Sequence, residues 1–372
     1  MILNNGVLSD FINATKGKDI ICFGAGKWLN WFLNIYKQHE QIKMIVDNDP
    51  SKWGGSYITE SAMIPIASIE TALNEYPDFV LMISIGVQGL HVIKQLNQIS
   101  CMSEKNVWWS YFLVNNSKEK VAHKMNGHFH ISKHQNIPKI IHYCWFGKNN
   151  MPSEFQKYID GWKRLCPDYE IKCWNENNYD VAKNAYMKKA YEERMWGFVP
   201  DYARKDIIYE YGGIYLDTDV ELIKKPDGLL YQDGFCGWEE GFVSFGLGFG
   251  ARPRLPIIKE LRDLYEDIEF VKQKKMKTGP EYETELLEKH GLKLDGSYQI
   301  VEGLTVYPME VLSGTNVYNG VPYITKNTVS VHHYAGTWID EEAISLRKKI
   351  QALYTLLVNN NNCLDFNAGV KI

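Results

Sequence analysis

The stretch Asp201-Tyr202-Ala203-Arg204-Lys205-Asp206-Ile207-Ile208-Tyr209-Glu210-Tyr211-Gly212-Gly213-Ile214-Tyr215-Leu216-Asp217-Thr218-Asp219-Val220-Glu221 decides how this chain is read. A helical region over 179–211 ends at Gly212-Gly213, before the strand Ile214-Tyr215-Leu216. On a helix, Asp201 and Arg204 stand three apart and share a face, so a carboxylate and a guanidinium can act on one ligand. On a strand, Asp217 and Asp219 are two apart and also share a face. Two hard oxygen ligands so placed, with water and phosphate oxygens completing the shell, suit Mg²⁺ or Mn²⁺ holding a diphosphate rather than an all-protein metal cage. The chemistry implied is loss of a nucleotide diphosphate. Two aspartates closing a strand are most often a solvated turn, so the context of the pair carries the argument.

Outward from that stretch, the chain alternates strands and helices. Ile137-Pro138-Lys139-Ile140-Ile141-His142-Tyr143-Cys144-Trp145-Phe146-Gly147 reads as the first strand of an α/β unit, with the next strand at 169–174. Nearer the N-terminus, Asp19-Ile20-Ile21-Cys22-Phe23 runs into Gly24-Ala25-Gly26-Lys27 and an apolar, helix-compatible segment, 28–36. Further strands follow at 43–46 and 79–85, the latter after a polar helix-like segment, 69–76. Alternation of this kind predicts a parallel sheet. The polar segment 115–136 reads as a linker, and 340–358 places Ile344, Ile350, Leu353 and Leu357 at helical spacings. The expected organisation is a Rossmann-like domain over 1–118, a linker over 119–136, a second α/β domain over 137–340, and an amphipathic helix and tail over 341–372.

Composition narrows the function classes. The 372 residues are 45% hydrophobic and 23% charged, globular values that leave little room for disorder. With 41 Lys and Arg against 45 Asp and Glu there is no basic excess, so nucleic acid is not an expected partner. Seven cysteines, odd in number and without a Cys-x-x-Cys pair, read as reduced thiols and point to the cytoplasm. The N-terminus lacks a charged and apolar leader, and the longest apolar run, 79–87, falls short of a bilayer span.

Three motifs in order, Ile137 to Gly147, Asp201 to Arg204 with Gly212 to Glu221, and Val331-His332-His333-Tyr334-Ala335-Gly336-Thr337-Trp338, resemble glycosyltransferase family 32. This DXD-motif, capsular-polysaccharide type is related to the glucosylating domain of clostridial toxins. The resemblance covers 137–340 and implies a GT-A fold, a nucleotide-sugar donor, a divalent cation (Mn²⁺ or Mg²⁺) and retention of anomeric configuration. It implies that Trp145 stacks on the base, that Asp201 and Arg204 hold sugar hydroxyls and donor phosphate, and that Tyr215 contacts or packs under the ribose. Asp217 and Asp219 match the metal motif, with His333 as third ligand and Trp338 closing over the leaving diphosphate. Thr278-Gly279-Pro280 matches a loop near the acceptor. Ser244-Phe245-Gly246-Leu247-Gly248-Phe249-Gly250-Ala251 departs from the pattern where many relatives carry an Asn. The donor expected is a UDP-sugar and the acceptor a surface-polysaccharide or lipid-linked saccharide, with peripheral contact at the inner membrane face. Read from the residues alone, Trp145 is a core aromatic, Asp201 with Arg204 an exposed ion pair and His333 a buried histidine.

Other signals point elsewhere. Gly24-Ala25-Gly26 with Asp47 at the end of the next strand has part of a dinucleotide fingerprint, but Leu29 replaces the third glycine. A scaffold or interaction domain is the default reading, and a nucleotide-dependent oxidoreductase or sensor the alternative from another class. The pattern also resembles Rossmann-like domains attached to bacterial surface-sugar enzymes. His123, His128, His130 and His134 crowd the linker without cysteine partners for zinc. The lysine-rich segment 272–277 reads as a solvated loop or a contact for an anionic lipid-linked acceptor. An effector-type transferase acting on protein is the nearer alternative.

Overall fold

The strand Phe79–Ile83 is buried at all five positions, the pattern of a strand covered on both faces. It belongs to a computed structural model that describes residues 1–59, 61–113, 116, 132–239, 241–272, 277–315, 324–336 and 341–368. The chain divides into two compact units, Met1–Lys120 with Asp340–Ile372, and Val121–Ile339. No helix among the described residues is long and apolar enough to cross a membrane. Lysine-loop residues 273–276 and the linker histidines His123, His128 and His130 lie outside the described residues.

In the first unit an eight-stranded sheet runs in the order Cys363–Asp365, Ile2–Asn4, Asn106–Trp109, Phe79–Ile83, Asp19–Phe23, Ile42–Val46, Met63–Ala67, Ser56–Ile58. The six inner strands are parallel and the outermost two antiparallel. The helix Lys27–Ile35 starts at Gly26 and buries Leu29, Phe32 and Leu33. The turn before it is tight: Gly24 has φ +108°, and a Cβ there would lie 2.4 Å from Ile85 Cγ1. Asp47 Oδ2 accepts hydrogen bonds from the Ala25 N–H at 3.0 Å and Lys52 Nζ at 2.8 Å. Its carboxylate pins the glycine turn.

Within 341–368 the expected helix is followed by a short strand. The helix Glu341–Asn359 buries Ile350, Leu353 and Leu357, and Cys363–Asp365 pairs antiparallel with Ile2–Asn4, Leu364 opposite Leu3. A three-residue strand with one apolar side chain has no periodicity to read, so only the fold reveals it.

The second unit holds a sheet ordered Gln299–Val301, Leu304–Tyr307, Gly234–Glu239, Phe249–Ala251, Gly213–Tyr215, Ile140–Cys144, Glu170–Trp174, with Phe242–Ser244 paired to Gly234–Glu239. Ile140–Cys144 and Gly213–Tyr215 are parallel, Ile141 opposite Ile214, so Trp145 and Asp217 leave the same sheet edge, where open α/β sheets place ligands. The helix–strand break is built in. Gly212 has φ +65° and a Cβ on it would meet Pro253 and the Ala251 carbonyl. The ring of buried His142 takes the Trp174 Nε1–H at Nδ1 and bonds the Gly212 carbonyl through Nε2. Burial lowers its pKa to about 4, so the ring is neutral and structural. A separate two-stranded ribbon, Val220–Leu222 against Ser330–His332, brings the C-terminal histidine motif to the aspartate turn.

Candidate functional site

The strand Gly213–Tyr215 ends two residues before Asp217, and the chain turns before Val220–Leu222. Asp217 N donates to the Gly246 carbonyl at 3.0 Å, and Val220 N to the Asp217 carbonyl at 3.1 Å. Asp217 and Asp219 therefore meet through a turn and not through the face alternation of a continuous strand. Ligand atoms of Asp217, Asp219 and His332 lie within 4.8 Å of one another, with no other such cluster among the described residues. Gly246 makes room, since a Cβ there would sit 2.3 Å from Asp217 Oδ2. That glycine lies in the segment whose sequence departs from the family pattern.

The histidine that joins the aspartates is His332, and not the expected His333. In the ribbon His332 pairs with Val220, and its Nε2 lies 3.3 Å from Asp219 Oδ1. Neighbouring side chains on an extended backbone point to opposite faces, so His333 turns away. Its ring stacks on Tyr158 with centroids 4.6 Å apart, and its Nε2 lies 2.9 Å from Glu221 Oε2. Only its backbone serves the turn, donating to the Asp219 carbonyl at 3.0 Å. The Ala335 N–H donates to Asp219 Oδ2 at 2.9 Å.

Behind His332 stands Glu239, the last residue of its strand, absent from the sequence reading because nothing near it in sequence marks it. Its Oε1 is 3.6 Å from His332 Nδ1, a buried nitrogen with no hydrogen-bond partner among the described residues. Burial alone would lower the His332 pKa, but Asp219 and Glu239 raise it well above the usual histidine range. Burial opposes ionisation of Asp219 as well, and the His332 ring pulls its pKa down to about 2. At Asp217 burial wins and the pKa is raised, against the nearby Arg204 guanidinium.

Asp201 and Arg204 are buried and do not form the exposed pair that their spacing alone would give. Arg204 Nη2 is 3.4 Å from Asp201 Oδ1 and Nη1 is 3.5 Å from Asp217 Oδ2, so one guanidinium links the helix Pro200–Tyr211 to the aspartate turn. Tyr186 donates to Asp201 Oδ2 at 3.1 Å and Tyr215 to Asp217 Oδ1 at 3.0 Å. Burial raises the Asp201 pKa to about 6. A Cβ on Gly279 would lie 3.1 Å from Asp201 Oδ1, which puts the Thr278-Gly279-Pro280 motif against this carboxylate. Beneath it Lys205 and Glu283 form a fully buried ion pair, with Tyr265 donating to Glu283 at 2.5 Å. Removing one partner of such a pair strands a buried charge. Trp145 is half-buried, its Nε1 donating to the Asn149 carbonyl at 2.8 Å and its ring edge-on to Phe155. Trp338 lies outside the described residues.

Residues 152–236 match the family model described as the glycosyltransferase sugar-binding region containing the DXD motif. Residues 7–102 match that of a C-methyltransferase C-terminal domain. The chain is 25% identical over 272 residues to inositol phosphoceramide mannosyltransferase 1 of Schizosaccharomyces pombe, covering 64% of this chain and 81% of that one. Inositol phosphoceramide mannosyltransferase 3 of the same organism is 31% identical over 119 residues, 30% of this chain and 32% of its own. An uncharacterized glycosyltransferase of Acanthamoeba polyphaga mimivirus is 31% identical over 137 residues, 32% of this chain and 52% of its own. Among solved structures, the PaToxG glycosyltransferase aligns at TM-score 0.35 and 18% identity, covering 47% of this chain and 74% of that one. At the level of reaction class, the chain is a glycosyltransferase homologue with a DXD sugar-binding region.

Proposed function

We propose that the chain is a metal-dependent, retaining glycosyltransferase that moves a hexose from a nucleotide sugar to a surface-polysaccharide or lipid-linked saccharide. The observation that carries this is the meeting of Asp217, Asp219 and His332 beside the Asp201–Arg204 pair. Two carboxylates and an imidazole suit Mn²⁺ better than Mg²⁺, and two like charges held together call for a cation, so the donor set fits. When bound there, the ion supplies charge neutralisation for a departing diphosphate.

The protein's own groups do the rest. Arg204, held by Asp201 and Asp217, points its fixed charge at the same turn and stabilises the leaving phosphate. Asp201 accepts from sugar hydroxyls when ionised. Trp145, at the sheet edge shared with Asp217, stacks on the base. Attack of the acceptor hydroxyl on the face that the diphosphate leaves gives retention, with positioning as the main source of rate.

UDP-sugars are the first donors to test. The fission-yeast relatives are named for mannose transfer to an inositol phosphoceramide, which makes GDP-mannose the necessary competitor. Thermal-shift measurements with UDP- and GDP-sugars, with and without Mn²⁺, read donor binding directly. Stabilisation by one nucleotide sugar that requires the metal supports the proposal. Equal melting temperatures in every condition contradict it.

A further inference from the structure

Lys157, Gly161 and Arg164 fall at i, i+4 and i+7 on the helix Ser153–Leu165, on one wall of a pocket of about 320 Å³. The facing wall is the strand that leaves the aspartate turn, with Glu221 and Leu222. The walls are fixed to each other: the fully buried Trp162 donates its Nε1–H to the Val220 carbonyl at 2.9 Å. Tyr158 also lines the pocket and stacks on His333, whose backbone N–H bonds Asp219. The pocket therefore lies along the strand that follows the turn 217–219.

Its lining states the chemistry of the occupant. Neither Lys157 nor Arg164 is in hydrogen-bond or ion-pair contact with a carboxylate among the described residues. Asp160, which Arg164 influences from further off, is engaged by Gln156 at 3.0 Å and Lys163 at 3.4 Å. Glu221, the carboxylate that lines the pocket, is engaged by His333. The lining sets two cations against the one carboxylate Glu221, an excess of positive charge that favours an anion. Gly161 adds a second observation. A glycine inside a helix costs about 1 kcal/mol relative to alanine. Packing does not demand it, since a Cβ there would meet only Arg164 Nη2, at 3.9 Å. What the glycine does is keep the space between the two cations open.

We propose that this pocket is the acceptor subsite and that the acceptor carries a phosphate. Lys157 and Arg164 hold that phosphate, and the Tyr158–His333 stack flanks the saccharide ring next to it. The proposal rests on the transferase reading above. A soluble sugar phosphate and a lipid phosphodiester headgroup offer the same chemistry, and the test separates them. Binding of glucose 6-phosphate is measured by calorimetry on the full chain. Flotation with phosphatidylcholine vesicles, with and without phosphatidylglycerol, is measured in parallel. The variants are the double change Lys157→Gln with Arg164→Gln, and Gly161→Leu, which keeps both charges and fills the space.

Both variants should weaken the probe that the wild type binds by roughly tenfold or more. Binding of glucose 6-phosphate alone identifies a soluble acceptor, and binding of anionic vesicles alone a lipid-linked one. Failure of the wild type to bind either probe overturns the proposal. So does retention in Gly161→Leu, which reduces the attraction to surface charge. UDP titration with Mn²⁺ on the same proteins reads the donor side separately. A wild type that binds phosphate and not UDP contradicts the transferase reading, while the pocket stands.

Discussion

Each unit carries a turn after a buried parallel strand with carboxylates beside it, and the two turns use those carboxylates in opposite ways. At Gly24–Gly26, Asp47 accepts from the Ala25 N–H and Lys52 Nζ at Oδ2, and from the Asp49 N–H at Oδ1, the last at 3.0 Å. Both oxygens accept bonds from within the same loop. At 217–219, Asp217, Asp219 and His332 crowd together, and the fold tolerates the like charges by flanking them with Arg204 and His332. A carboxylate used inside a loop stabilises it, whereas at 217–219 burial raises the pKa of Asp217 beside an Asp219 that His332 holds ionised, the kind of perturbed pair that marks candidate functional sites. A glycine-rich turn with a downstream acid is thus no evidence of a nucleotide site until the acid is shown to be free.

The comparison breaks most readily at the aspartate turn. Asp219→Ala or Asp217→Ala should lower metal-dependent donor hydrolysis by about a hundredfold or more, because transition-state charge loses its neutralising ion. Melting temperature should fall in Asp219→Ala, which leaves the buried His332 ring and the Ala335 N–H without their partner. Rates measured with and without EDTA check this, and full activity in EDTA contradicts it. Next in size, His332→Ala should weaken Mn²⁺ binding by roughly ten- to a hundredfold, the range found when the ligand environment of a metal is disturbed. His333→Ala should leave Mn²⁺ binding unchanged. The reverse ranking in a calorimetric titration would restore His333 as the ligand. Trp145→Ala should cost base stacking of about 1–3 kcal/mol, roughly ten- to a hundredfold in UDP affinity, without changing metal affinity.

A pH profile tests the Asp201 carboxylate. Burial raises its pKa to about 6, above the ordinary aspartate value of 3.8, so the folded state favours the proton. The resulting stability is fully present below pH 3.8 and is lost as pH rises through about 6. If ionised Asp201 binds the sugar, kcat/KM should fall by about tenfold per pH unit below 6. Asp201→Asn should have a low, flat profile there, and an unchanged inflection in that variant would assign the titration elsewhere. The smallest effect belongs to the closed turn. Asp47→Asn should cost on the order of 1–2 kcal/mol in unfolding free energy, from the weakened Ala25 and Lys52 bonds. It should leave donor hydrolysis intact, and loss of hydrolysis would show that the first unit takes part in the chemistry.

How much of this the sequence discloses follows from range. Alternating strands and helices, the glycine break at Gly212-Gly213 and the Asp201–Arg204 spacing are local patterns, and the structure contains each of them. His332 and His333 are indistinguishable locally. The choice depends on the register that sets His332 opposite Val220, more than a hundred residues away in the chain. Glu239 behind His332 and Glu283 beside Lys205 are likewise placed by sheet order and helix packing, which no local spacing encodes. The turn at 217–219 escapes a strand reading because it is fixed by a hydrogen bond to Gly246.

The most direct measurement is UDP affinity by calorimetry with and without Mn²⁺, in the wild type and in Asp219→Ala. The account predicts tight binding by the wild type only with the metal, and weak, metal-independent binding by the variant. Equal affinity in all four titrations would contradict it.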